Sequence, residues 1–215
     1  MQRAQDSRRR IYDTLTDWAR DVARVVTVPI ARFFASLGIH PNTITVLGFL
    51  LTSAVAVLLA QGRLRLSGWL LLVVMPTDAL DGTLARLVGQ KSRFGAFLDS
   101  TLDRLSEIAL LGGMACHYLL QAATAEVVLA IVALVGGVMV SYTRARAEAL
   151  GFCCKVGLLT RMERAAVLVA GLISGYPVVA LWVLAIGSNL TAVHRILHVY
   201  AQSKLEERGD SAEDA

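Results

Sequence analysis

Four aspartates occupy positions where a strongly apolar chain has little use for charge. Asp78 and Asp81 are three residues apart, and Asp99 and Asp103 are four apart, in segments otherwise rich in Leu, Ala and Gly. Either spacing is close to one helical turn, so the members of each pair share a helix face. A carboxylate at membrane depth costs a few kcal/mol unless it faces a cavity or is neutralised. Four of them near the ends of apolar runs require compensating positive charge. Oxygen donors of this kind suit hard divalent cations, Mg²⁺ or Mn²⁺, rather than zinc, which prefers nitrogen and sulfur. Two such ions about 4 Å apart would balance four negative charges and could clamp a diphosphate.

Small residues accompany the acids. Gly82 adjoins Asp81, Ala85 lies one turn after it, and Gly95 lies one turn before Asp99. A glycine inside a helix costs about 1 kcal/mol relative to alanine, which suggests that something approaches the backbone closely. The plainer alternative is tight packing of small residues between helices. Arg86, one turn beyond Gly82, is placed to meet a phosphate.

A second group of charges is basic. Arg144 and Arg146 close one apolar segment, and Arg161 and Arg164 open the next, with Glu148 and Glu163 interleaved. Taken singly, such arginines can snorkel to lipid head groups. Taken together they read as an anion pocket, because forked guanidinium donors hold phosphate in two contacts. A phosphate pocket beside an acceptor position implies that the acceptor alcohol is itself phosphorylated.

The elements that must position these groups are membrane helices. Of 215 residues, 55% are hydrophobic and only 18% are charged, with a mean hydropathy of +0.58. That is too little charge to cover a soluble domain. The fold class expected is all-α, an integral membrane protein with six transmembrane helices and an N-terminal amphipathic interfacial helix. Residues 1–40 form the cytoplasmic N-terminus, with the amphipathic helix over Ile11 to Leu37. Residues 41–203 form the catalytic transmembrane domain, and 204–215 a charged, disordered tail. The spans are expected from Thr43 to about Ala60, Leu64 to Leu87, Arg93 to Leu120, Ala125 to Ala149, Thr160 to Ser174, and Pro177 to about Ala201.

No cleavable signal is expected, because the first ten residues are polar and carry Arg3, Arg8, Arg9 and Arg10. Most Lys and Arg residues fall on the side of the termini, which makes that side cytoplasmic. The net charge of +4 sits largely beside the membrane, where it faces anionic lipid rather than nucleic acid. Cys116, Cys153 and Cys154 are an odd count with one adjacent pair, and read as free thiols.

The run Asp78-x-x-Asp81-Gly82-x-x-Ala85-Arg86, eight residues, Gly95-x-x-x-Asp99-x-x-x-Asp103 specifies eight positions over 26 residues. It resembles the signature of the CDP-alcohol phosphotransferase family, and Pro41-Asn42 near the first span strengthens the likeness. The resemblance implies a multi-pass enzyme of the cell membrane that attaches a phosphatidyl group from CDP-diacylglycerol to an alcohol. It also implies a homodimer. Asp78, Asp81, Asp99 and Asp103 would bind two metal ions, Mg²⁺ or Mn²⁺, and Asp103 would also act as general base. Asn42, Gly82, Ala85, Arg86 and Gly95 would line the cytidine nucleotide.

The stretches around Arg144–Arg146 and Arg161–Arg164 are similar to those of prokaryotic phosphatidylinositol-phosphate synthases. That points to inositol 1-phosphate held by Arg144, Arg146, Arg161 and Arg164, with glycerol 3-phosphate as the competing acceptor. A single in-line displacement is favoured, and a covalent aspartyl intermediate is the alternative. A cation channel or transporter would also carry intramembrane acids, but here they gather at one end and no pair of broken helices accompanies them.

Overall fold

In the computed structural model the chain is described over residues 27–89 and 92–213, and the side chains of Asp78, Ala79 and residues 206–213 lie outside that description. Among the described residues every regular element is an α-helix. They are α1 (27–36), α2 (Pro41–Ala60), α3 (Leu64–Val74), α4 (Thr77–Leu87), α5 (Arg93–Leu120), α6 (Thr124–Ala149), α7 (Arg161–Ser174) and α8 (Pro177–Glu213). The amphipathic helix expected from Ile11 lies, up to residue 26, outside the described residues.

Local chemistry sets several of the boundaries. α2 opens on Pro41, whose fixed φ and missing N–H suit a first helical position, and the Asn42 N–H donates to His40 Nδ1 at 3.1 Å. One helix was expected from Leu64 to Leu87, but the chain leaves the helix after Val74 and re-enters it at Thr77. Pro76 is the cause, since it lacks a donor and its ring clashes with the preceding turn. A second difference lies at the C-terminus. The last helix was expected to end near Ala201, before a disordered tail, but α8 continues to Glu213. Lys204 to Arg208 are all strong helix formers, so nothing local stops the helix there.

The chain divides into two compact units. The first holds the described residues up to Gly48 together with Met75–Ser100; the second holds Phe49–Val74 and the described residues from Thr101 onward. In the first, Ala31 of α1, Ile44 of α2, and Leu80 and Leu84 of α4 form a small core, with Phe34 and Ile39 packed against it. In the second, α6 packs on α8, α3 on α7, and α7 on α8, around Met114, Leu172 and Leu181.

The outer surfaces are apolar. Trp69, Val73, Leu120, Trp182 and Leu197 are all more than half exposed. Among the described residues, three helices are long and apolar enough to cross a membrane: Pro41–Ala60, Thr124–Ala149 and Pro177–Leu205. Exposed apolar surface on that scale is stable only where the surroundings are hydrocarbon. The chain is a membrane protein.

Adjacent glycines in α5 show how closely the second unit is packed. A Cβ at Gly113 would strike the Ala56 backbone carbonyl, whereas one at Gly112 would meet nothing within 4 Å. Gly113→Ala should therefore destabilise the fold by roughly 1–3 kcal/mol through overpacking. Gly112→Ala should be neutral or stabilise by up to about 1 kcal/mol through helix propensity. Thermal melts of the two detergent-solubilised variants read the contrast, and equal melting temperatures would contradict the packing described.

Candidate active site

A cavity of about 260 Å³ opens in the first unit, walled by three helix segments. α2 contributes Asn42 and Thr45; α4 contributes Asp81, Gly82, Ala85 and Arg86; the start of α5 contributes Gly95 and Asp99, with Ser92 preceding it. Seven of the residues expected from the sequence thus face one space: Asn42, Asp81, Gly82, Ala85, Arg86, Gly95 and Asp99. Helical periodicity accounts for the α4 wall, because residues 81, 82, 85 and 86 follow one another along a single stripe.

Asp81 is the most confined of these groups, at 7% exposure. The Thr45 hydroxyl donates to its Oδ2 at 2.7 Å, and the Gly82 N–H donates to its Oδ1. Two donors from different helices therefore fix the plane of one carboxylate. Such outer partners orient metal ligands and raise their affinity. Thr45 was not anticipated, because a lone threonine in an apolar helix carries no sequence signal.

The opposite wall is positive by construction. Ser92 precedes α5, and its Oγ accepts the Gly95 N–H at 2.8 Å, which is the N-cap arrangement. The remaining unpaired N–H groups and the helix dipole make such an end attractive to anions. Gly95 is closely approached, since a Cβ there would sit 3.0 Å from both Asn42 Oδ1 and Ser92 Oγ and would push on either side chain. Gly82 leaves bare backbone at the cavity, where a Cβ would meet only Arg86 Nη1, at 4.0 Å. Arg86 Nη2 donates to Thr83 Oγ1 at 3.0 Å.

The donor set fits a hard divalent cation. Asp81 and Asp99 present carboxylates to the same cavity, and one of them is buried and held in orientation. No group of three carboxylate, imidazole or thiol side chains converges among the described residues. The expected third and fourth ligands are Asp78, whose side chain lies outside that description, and Asp103. Asp103 lies one turn beyond Asp99 on α5, and Arg161 Nη1 reaches its Oδ2 at 2.5 Å.

The four expected arginines divide by environment. Arg144 is exposed and pairs with Glu148 at 2.9 Å, and Arg146 is exposed. Arg161 meets Asp103. Arg164 is different, being only 3% exposed. Its Nε and Nη2 donate to Glu107 at 2.6 and 2.7 Å, and its Nη1 donates to the Leu159 carbonyl at 3.2 Å. A further basic residue joins this group. Arg195 of α8 is also 3% exposed; its Nε donates to the Val156 carbonyl at 2.8 Å and its Nη1 to that of Val140. It lies within electrostatic range of Arg144 and Arg164. The stripe Ser188, Thr191 and Arg195, all buried, was the available signal, because polar groups at helical spacing inside an apolar helix are seldom incidental.

The orientation of Asp81 generates a prediction. Thr45→Val should weaken Mn²⁺ binding by about 10-fold or more, measured by electron paramagnetic resonance titration, while Thr45→Ser should retain it. Unchanged affinity in Thr45→Val would separate the hydroxyl from any metal.

The chain is similar to known proteins. The sequence model of the CDP-alcohol phosphatidyltransferase family matches residues 38–193, which include the cavity. A phosphatidylinositol phosphate synthase of Corynebacterium glutamicum is 38% identical over 187 residues, covering 83% of this chain and 85% of that protein. The crystal structure of the Mycobacterium tuberculosis phosphatidylinositol phosphate synthase with CDP-DAG bound is similar at a TM-score of 0.77 and 32% identity, covering 81% of this chain and 94% of the other. The same enzyme in complex with manganese and citrate matches at a TM-score of 0.78 and 32% identity, over 81% of this chain and 89% of that one. Sequence and structure agree, and the chain belongs to the CDP-alcohol phosphatidyltransferase family.

Proposed function

We propose that this protein transfers the phosphatidyl group of CDP-diacylglycerol to inositol 1-phosphate, giving phosphatidylinositol phosphate and CMP. The observation that carries this reading is the single cavity in which Asp81, Asp99, Gly82, Arg86, Asn42 and the capped start of α5 meet. Its chemistry suits a nucleoside diphosphate, and the relatives named for the same reaction share the fold.

Divalent cations bound here, two Mg²⁺ or Mn²⁺ in our reading, would supply charge for the diphosphate oxygens as the bond to CMP breaks. Asp78, Asp81, Asp99 and Asp103 would hold them. The chain's own groups do the rest. Gly82 and Gly95 leave backbone open to the nucleotide, with Asn42 and Ala85 completing the wall. Arg86 and the α5 N-terminus favour the diphosphate. Asp103 takes the proton of the attacking hydroxyl, a role worth typically 10²- to 10⁴-fold. Arg161 holds Asp103 before the acceptor arrives; a phosphate ester bound at Arg144, Arg146 and Arg161 competes for that guanidinium and leaves the carboxylate to the hydroxyl. Arg164 adds charge to the same group from beneath. We favour direct in-line displacement without a covalent aspartyl intermediate.

The membrane reading is part of the proposal. The three apolar helices, joined by α3 with α4, by α5 and by α7, make six passages in this reading. The Lys and Arg residues on the side of the termini support a site at the cytoplasmic face of the cell membrane. The functional unit is a homodimer.

Two measurements test this. The purified chain with CDP-diacylglycerol and Mg²⁺ should release CMP with inositol 1-phosphate, and at most weakly with glycerol 3-phosphate, serine or free inositol. Equal release with unphosphorylated alcohols would remove the basis for a phosphate pocket. Asp103→Asn should keep CDP-diacylglycerol binding but lose about 10²-fold or more in turnover, whereas Asp78→Asn should weaken both. Ordinary product formation by either variant refutes its assigned role.

A further inference from the structure

Glu107 takes no part in the family signature, yet it is placed where three helices meet. Its carboxylate receives Arg164 Nε and Nη2 in a forked pair at 2.6 and 2.7 Å. The arginine is 3% exposed and the glutamate side chain 23% exposed, so the guanidinium is buried and the carboxylate half-buried. On its other side Glu107 lies against α6. A Cβ at Gly137 would fall 2.6 Å from Glu107 Oε1, so the helix backbone is bare at the point where the carboxylate rests.

The register makes this contact more than a strut. Asp103 and Glu107 are four apart on α5, and Arg161 and Arg164 are three apart on α7, so both helices present the pair on one face. Asp103–Arg161 and Glu107–Arg164 are successive rungs between the same two helices. The arginine of the Asp103 rung is exposed; the Glu107 rung is bidentate, with its arginine buried and its carboxylate partly exposed. A forked pair fixes angle as well as distance, so Glu107 sets the rotation of α5 against α7. Arg164 extends the constraint to the connection before α7 through the Leu159 carbonyl. The helices tied together, α5, α6 and α7, carry Asp103, Arg144, Arg146 and Arg161.

We propose that Glu107 is a positioning residue for the acceptor half of the site: resting on Gly137 and anchoring Arg164, it aligns Arg161 with Asp103 and so sets the affinity for the phosphorylated alcohol. The inference rests on the function proposed above. Glu107 touches no substrate in this account, and it acts through Arg164.

The test uses the full-length chain and reads CMP release. With inositol 1-phosphate varied at saturating CDP-diacylglycerol, Glu107→Gln should raise KM for the acceptor by about 10- to 100-fold, the effect expected of a misplaced binding group. With CDP-diacylglycerol varied, its KM should stay within about twofold, since the nucleotide cavity is built from other residues. Glu107→Asp should recover part of the loss. A merely structural role would lower the melting temperature and move both KM values together, or move neither, and either outcome overturns the inference. If Glu107→Gln does not fold, Gly137→Ala, which pushes on the carboxylate and leaves the pair's charges in place, should give the same one-sided shift; no shift, or a shift in both constants, overturns it equally. A native chain that released CMP with no alcohol at all would be a different failure, that of the reaction itself.

Discussion

The arrangement depends on a carboxylate placed inside an apolar protein. Asp81 is nearly sealed from solvent in a chain that is 55% hydrophobic, and a buried polar group is costly unless it is hydrogen-bonded. The Thr45 hydroxyl and the Gly82 N–H donate to its two oxygens, and Asp99 faces the same cavity. Two acids in one small space repel each other unless a cation comes between them. On the function proposed above, a divalent cation would meet that need. The glycines, the helix cap at Ser92 and the break at Pro76 follow as conditions for bringing α2, α4 and α5 together around that charge.

The second unit solves a related problem with arginines. A buried guanidinium needs donors matched as well as charge balanced. Arg164 meets both needs with Glu107 and the Leu159 carbonyl, and Arg195 uses the carbonyls of Val156 and Val140. These two hold the connection between α6 and α7 from below. Arg144, Arg146 and Arg161 are more exposed.

Much of the cavity was legible in the sequence because its signals are strong for simple reasons. Acids at one-turn spacing in apolar runs, with glycines beside them, admit few readings, and the three-dimensional arrangement brings Asp81, Asp99, Gly82 and Gly95 to one space. The long apolar helices were legible for the same reason, since α5 begins at Arg93 and ends at Leu120 as periodicity suggests. Other features needed coordinates. Thr45 becomes visible only when α2 is laid against α4. The choice of partner made by Arg161 and Arg164 depends on helix rotation, which composition does not encode, and Glu107 stands outside the motif that the sequence displays. The break at Pro76 and the continuation of α8 past Ala201 were misjudged because an apolar pattern outweighed a proline in one case, and charged composition outweighed helix propensity in the other.

The central claim is that Asp81 and Asp99 face one divalent-cation site at the start of α5. Anomalous diffraction from crystals grown with Mn²⁺ addresses it directly. The account predicts manganese peaks within about 2.3 Å of carboxylate oxygens from both residues, a coordination distance typical of such ions. Manganese bound elsewhere, or Asp81 and Asp99 oriented away from a common ion, would contradict it.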